Sequence, residues 1–173
     1  HREFYARLRQ VLLDEAPRPF RFLDIACGDA GATVNALTGT SIARYHGIDL
    51  SPTALGIARN TLAALACPVE LREGDFVEAL RAWRAPVDVA WIGLSLHHFP
   101  IGAKLDLMRQ VGRIVGPRGL FLIYENTSPD GEDREGWLQR WDEQEPLWTA
   151  YTPDEWDAMR THVHAADFPE TTT

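Results

Sequence analysis

The sequence predicts an α/β protein built on a doubly wound, mainly parallel sheet with helices on both faces. Three observations carry this expectation. Short apolar runs alternate with segments of helical spacing as far as Tyr124. The run Val87 to Leu94 is almost continuously apolar, as a strand covered on both faces must be. The first run, Arg21-Phe-Leu-Asp-Ile25, breaks into the small residues Ala-Cys-Gly-Asp-Ala-Gly31 before helical spacing begins, a strand–turn–helix corner of the kind at which open α/β sheets place their ligands.

Taken in order, Phe4, Leu8, Val11 and Leu12 predict a helix from Arg2 to Glu15, stopped by Pro17 and Pro19. The first strand follows from Arg21, and a helix leaves the small-residue turn over Val34 to Leu37. Ala43 to Leu50 reads as the second strand. Ser51-Pro52 reads as an N-cap with proline in the first helical position, ahead of a helix carrying Ala54, Ile57, Ala58 and Leu62. Val69 to Arg72 is the third strand, Val77 to Trp83 a helix, Val87 to Leu94 the fourth strand and Lys104 to Val115 a helix. Gly116-Pro-Arg-Gly119 turns the chain into a fifth strand, Leu120 to Tyr124. Asp130 to Glu135 reads as a loop. Trp137, Trp141, Trp148 and Trp156, with Tyr151 among them, either pack a helix as core or form an apolar lid, and core is the commoner use. Thr152-Pro-Asp-Glu155 opens another helix, and after Met159 the pattern fades, leaving His162 and His164 spaced to share one face of a strand. The 173 residues thus read as one domain: an N-terminal helix or lid over 1–20, a ligand-binding core over 21–126 and a Trp-rich helical segment over 127–173.

The net charge of -8 opposes a nucleic-acid footprint, which needs a basic face. No apolar run approaches the ~18 residues of a membrane span, and no secretory signal is visible. Two cysteines, Cys27 and Cys67, make no disulfide framework and are expected as reduced thiols in a cytoplasmic protein. Lys104 is the sole lysine, which looks like composition bias. The chain opens on His1, so its natural start is expected to lie upstream.

The chemistry-bearing residues sit where the strands end. Asp24 closes the first strand, and Asp29 lies within the turn around Gly28. Carboxylates there would repel a pyrophosphate but suit a ligand carrying an ammonium and a sulfonium. Asp49, at the end of the second strand, can accept both hydroxyls of a ribose, a spacing shared with dinucleotide folds. Asp75, in Gly74-Asp-Phe76, is an acceptor after the third strand. In Gly93-Leu-Ser-Leu-His-His-Phe-Pro100, after the fourth strand, His97 and His98 have the pKa range for taking a proton from an attacking hydroxyl or amine. Adjacent histidines point in different directions on a regular backbone, so no metal is expected. Glu125 and Asn126 end the fifth strand and either line a pocket or cap a loop.

Together these motifs resemble the class I S-adenosylmethionine-dependent methyltransferases over roughly Arg2 to Asn126, with Ala26 and Ala30 where that family places the first and last glycines of its loop. The resemblance implies a Rossmann-like sheet and S-adenosylmethionine as cofactor. It implies that Asp24, Ala26 and Gly28 hold the methionine part, Asp49 the ribose with Leu50 on the adenine face, and Asp75 with Phe76 the adenine edge. Leu94 and Ser95 would lie against the cofactor, with His97 and His98 near the acceptor and His98 as a dispensable helper base. The implied reaction is in-line transfer to O, N or C of a small-molecule acceptor. The family's sheet has seven strands, the last two a hairpin; only five are visible here, so the chain is expected to be cut short at its C-terminus or to be covered there by a partner, a homodimer included. Two other functions stay open: a non-catalytic S-adenosylmethionine-binding or regulatory protein, and an NAD(P)-dependent oxidoreductase. Against the latter stand the absence of G-x-G-x-x-G, the acid Asp29 and the lack of a Tyr-x-x-x-Lys pair, since Pro100 lies four before Lys104.

Overall fold

In the computed structural model, which describes residues 2–171, the chain divides into two compact units. The first comprises residues 1–93 and 106–124, the second 94–105 and 125–173.

The first unit contains five parallel strands, β1 (Phe20–Ile25), β2 (Ile42–Asp49), β3 (Val69–Glu73), β4 (Val89–Gly93) and β5 (Leu120–Tyr124), in the order β3-β2-β1-β4-β5. The helices are α1 (Arg2–Asp14), α2 (Gly31–Leu37), α3 (Pro52–Thr61), α4 (Phe76–Arg81) and α5 (Ile101–Val115), the unit boundary falling inside α5. The order reverses between β1 and β4, so the first strand is central and its C-terminal end is the topological switch point. The expected strand–helix alternation and parallel sheet are both present. Alternate residues explain the two covered faces. Phe20, Phe22, Tyr45, Val89 and Trp91 join Leu8 and Leu12 of α1 and Val34 and Leu37 of α2 in one core. Leu23, Ile25, Ile48, Ala90 and Ile92, of opposite parity, are buried at 0 % exposure on the other face. Arg113 of α5 reaches the Leu80 carbonyl of α4 at 3.2 Å.

Phe4 and Tyr5 of α1 are occupied in packing: Phe4 stacks on Tyr124 at 4.2 Å and Tyr5 tilts against Trp91 at 5.8 Å. Ser51 caps α3, its Oγ accepting from the Ala54 N–H at 3.1 Å with Pro52 in the first turn, as the sequence predicts.

In the second unit, the expected loop gives way at Arg134 to α6 (Arg134–Asp142), capped by Asp133. The helix opened by Thr152 is α7 (Pro153–Ala166), with a full Thr152–Glu155 capping box. It does not fade at Met159, so His162 and His164 lie on a helix and not on a strand; burial of Trp156 and Val163 carries it where sequence periodicity is weak. Trp137 and Leu138 pack on Val163, with Trp141 and Met159 alongside, and Trp141 stacks on Trp156 at 4.6 Å, so most of the tryptophans are core. Two short parallel strands that the sequence does not reveal, β6 (Thr127–Ser128) and β7 (Glu170–Thr171), pair with each other. Lys104, 3 % exposed, donates to the Phe168 carbonyl and to Glu170 Oε1 at 2.7 Å, and the Phe168 N–H donates to the His97 carbonyl at 2.6 Å. Among the described residues no helix is long and apolar enough to cross a membrane.

Gly47 stands beside the central strand directly under the turn that follows β1. A Cβ there would lie 2.8 Å from Leu71 Cδ2, 2.9 Å from Cys27 Sγ and 3.0 Å from Tyr45 Cε1. Gly47→Ala is therefore expected to destabilise the chain by about 1–3 kcal/mol through overpacking, read as a lowered midpoint in urea unfolding. An unchanged midpoint would show that these neighbours can move apart freely.

Candidate functional site

Parallel strands bring all their C-terminal ends to one edge, and in the first unit that edge gathers the acids. After β1 the chain turns through residues 26–30, in which positions 26, 28 and 30 all take left-handed backbone, with φ of 57, 54 and 56°. Glycine does so freely; Ala26 and Ala30 each hold it at a cost of about 1–2 kcal/mol. Both alanines thus share the left-handed backbone of Gly28. No heavy atom lies within 4 Å of where a Cβ on Gly28 would sit, so the turn is open at its centre.

Asp49 holds this turn in place. Its Oδ2 accepts from the Gly28 N–H at 2.7 Å and its Oδ1 from the Ser51 N–H at 2.9 Å, while the Cys27 N–H donates to the Ile48 carbonyl at 3.0 Å. Each carboxylate oxygen keeps a further lone pair for an incoming hydroxyl. The Gly28 N–H, which a pyrophosphate would need, is already spent on a carboxylate. Leu50, next to Asp49, is 66 % exposed and offers an apolar surface at the same edge.

Asp24 lies beneath the turn. It is 2 % exposed, its Oδ2 accepts from the Tyr45 hydroxyl at 2.7 Å, and the Thr33 side chain also bonds to it. Burial pushes its carboxyl up to about 7 despite these bonds, with the Asp49 charge adding to the rise. Asp75 is exposed and caps α4, both bonds going to Oδ1, from the Val77 N–H at 2.6 Å and the Glu78 N–H at 3.3 Å. Phe76 is buried as the first residue of that helix. Burial pushes the Cys27 thiol up, which disfavours the thiolate that a nucleophile needs.

The residues after β4 belong to the second unit. Leu94 takes φ of 55°. The N–H groups of Ser95 and His97 donate to Glu125 Oε2 at 3.0 and 3.2 Å, as does that of Leu96. Glu125 thus caps the 3₁₀ turn Leu96–His98, one of its two expected uses. The same carboxylate takes His97 Nδ1 on Oε1 at 2.5 Å. Asp167, which follows α7, faces both histidines: its Oδ2 is 3.8 Å from His97 Nε2 and its Oδ1 is 3.4 Å from His98 Nδ1. His97 is buried, whereas the His98 side chain is 37 % exposed; burial and the neighbouring His97 push His98 down. Tyr45, Thr33 and Asp167 were not singled out from the sequence. Tyr45 reads there as an ordinary strand residue, and Asp167 lies in a segment without a motif.

A family model described as a methyltransferase domain matches residues 22–119. In fold, the chain is similar to the YcgJ protein of Bacillus subtilis, at 16 % identity and a TM-score of 0.64 over 99 % of this chain and 64 % of that one. It is similar to the cyclopropane synthase MmaA2 of Mycobacterium tuberculosis, at 17 % identity and 0.64 over 96 % and 55 %. It is also similar to an S-adenosylmethionine-dependent methyltransferase of Thiobacillus denitrificans in complex with S-adenosyl-L-homocysteine, at 23 % identity and 0.54 over 70 % and 47 %. The chain therefore spans about half to two thirds of these proteins' lengths. No curated protein matches it in sequence.

The buried acid gives a pH prediction. Asp24 keeps its proton in the folded chain up to about pH 7, whereas the unfolded chain releases it near the ordinary value of 3.8. Its contribution to stability is therefore full below 3.8 and is lost as pH rises towards 7. Asp24→Asn, which can still accept from Tyr45, is expected to flatten the fall in melting temperature between about pH 4 and pH 8. Thermal melts across that range check it, and an unaltered slope would assign the effect to another group.

Proposed function

This chain belongs to the class I methyltransferase family, and from that premise we propose that it transfers a methyl group from S-adenosylmethionine to a small-molecule acceptor. The observation that carries the proposal is the Asp49 carboxylate set between the Gly28 and Ser51 N–H groups, at a turn that is open above Gly28. The donor set suits the cofactor: exposed or half-buried acids surround a backbone with no free anion cradle, which favours hydroxyls and positive charge over phosphate.

Asp49 would accept the two ribose hydroxyls on the lone pairs that its backbone bonds leave. Leu50 would cover one face of the adenine. Asp75, with both cap bonds on one oxygen, would offer the other to the adenine amino group, and Phe76 would shape the floor from inside α4. The Ala26–Gly28 backbone would receive the methionine part. Asp24, buried under the turn with Tyr45, would act by fixing its shape and not by touching the ligand. When bound, S-adenosylmethionine supplies a methyl group already activated on a sulfonium. Positioning can then provide much of the acceleration, so the reading does not require a base from His97 or His98. The known neighbours that are methyltransferases, and the acidic composition, support a small-molecule acceptor.

Calorimetric titration with S-adenosylhomocysteine and, separately, with NADH tests this. Micromolar binding of the first alone is expected, and binding of NADH alone would replace the proposal with a nicotinamide-dependent one. Binding without turnover on any acceptor screened would indicate a pocket kept for sensing. Asp49→Ala is expected to weaken S-adenosylhomocysteine by tenfold or more, about 1.4 kcal/mol. Undiminished affinity in a folded variant would remove Asp49 from the ribose site.

A further inference from the structure

The second unit contains a cluster that the proposed methyl transfer does not require. His97 and His98 sit side by side on the tight 3₁₀ turn Leu96–His98, and Asp167 reaches them from just past the end of α7. One ligand atom from each of the three lies within 4.8 Å of the others. We propose that His97, His98 and Asp167 form a binding site for a first-row divalent transition ion of the zinc type.

Four features support the assignment. Asp167 is 3 % exposed, and its Oδ1 is buried without a hydrogen bond. A buried carboxylate oxygen left so is costly, and a cation would meet that need. Asp167 presents Oδ1 at 3.4 Å from His98 Nδ1 and Oδ2 at 3.8 Å from His97 Nε2, and one ligand atom from each of the three lies within 4.8 Å of the others, so that small side-chain rotations reach the roughly 3.4 Å between ligand atoms in a tetrahedron with bonds near 2.1 Å. Glu125 supplies the outer carboxylate common at such sites. Its bond to His97 Nδ1 orients the ring so that Nε2 faces Asp167. Lastly, two imidazoles and one carboxylate suit zinc and its first-row neighbours and not magnesium or calcium, which prefer oxygen.

Adjacent histidines are expected to diverge, yet on this 3₁₀ turn the His97 and His98 ring centroids lie 4.1 Å apart. Three protein ligands leave one position open, and the exposed side of His98 gives water or a heteroatom access to it. A ring nitrogen bound to an ion takes up no proton, so this assignment replaces the helper-base role that the sequence suggests for His98. It goes beyond methyl transfer and its test does not involve the methyl donor, so either reading can fail alone.

The full chain, freed of metal with EDTA and dialysed, is titrated with Zn²⁺ by calorimetry and with Co²⁺ by visible absorption, with Mg²⁺ as the contrasting ion. One Zn²⁺ per chain at micromolar affinity or tighter is expected, undisturbed by millimolar Mg²⁺. His98→Ala and the near-isosteric Asp167→Asn should each weaken Zn²⁺ by tenfold or more. His164→Ala, which removes a histidine bonded to Asp142 at 2.9 Å outside the cluster, should leave it unchanged. Circular dichroism establishes that each variant is folded. Asp167→Asn keeps the residue's shape and the backbone bonds it makes to Val163 and Arg134, so it stays informative if His98→Ala does not fold. No Zn²⁺ binding by the parent chain, or equal binding by folded Asp167→Asn, would overturn the assignment.

Discussion

The carboxylate of Asp49 is the constraint on which the C-terminal edge of the first unit's sheet depends. A turn of five small residues has little side-chain packing to hold it, and its path needs three left-handed residues within five positions. Bonds from Asp49 to Gly28 and Ser51 tie the exit of the central strand to the entrance of α3. Hydrogen bonds to a charged acceptor are worth about 1.5–3 kcal/mol each. Two of them are of the size needed to offset the backbone cost of two alanines in the left-handed region. The acid thus sets the shape of this turn.

The same device recurs after β4. There the N–H groups of residues 95–97 converge on Glu125, which follows β5 in the chain. In both places a carboxylate at the end of one strand collects the N–H groups that its neighbour's loop would leave unpaired. This is why acids at strand ends are so prominent in the sequence: several serve the backbone first. Asp75, spending one oxygen on the start of α4, follows the same logic.

What was legible in the sequence follows from how local the determinants are. The five strands, the Ser51-Pro52 helix start and the Thr152 box are set by neighbours within a few residues, and they stand where expected. Asp49 was legible as an acid on the sheet's C-terminal rim because strand ends in a parallel sheet share one edge. Its bond to Gly28 was not, since it depends on register between two strands. Asp24 shows the limit most clearly: its bond from the Tyr45 hydroxyl joins two strands and has no local signal in the sequence. Asp167, Lys104 and the β6–β7 pair were invisible because each acquires its partners from about 40 to 70 residues away in sequence. The end of α7 was missed because its apolar stripe is thin and it is held by two buried side chains, Trp156 and Val163.

Lys104 has a consequence of a different kind. It is the sole lysine of the sequence, and its ammonium is enclosed by the Phe168 carbonyl and Glu170. Every reaction that needs a free ε-amine, from acylation to ubiquitin attachment to amine-directed cross-linking, must therefore wait until residues 168–170 let go. Within these 173 residues, the rate at which that one amine is labelled is a clock for the opening of the C-terminal segment.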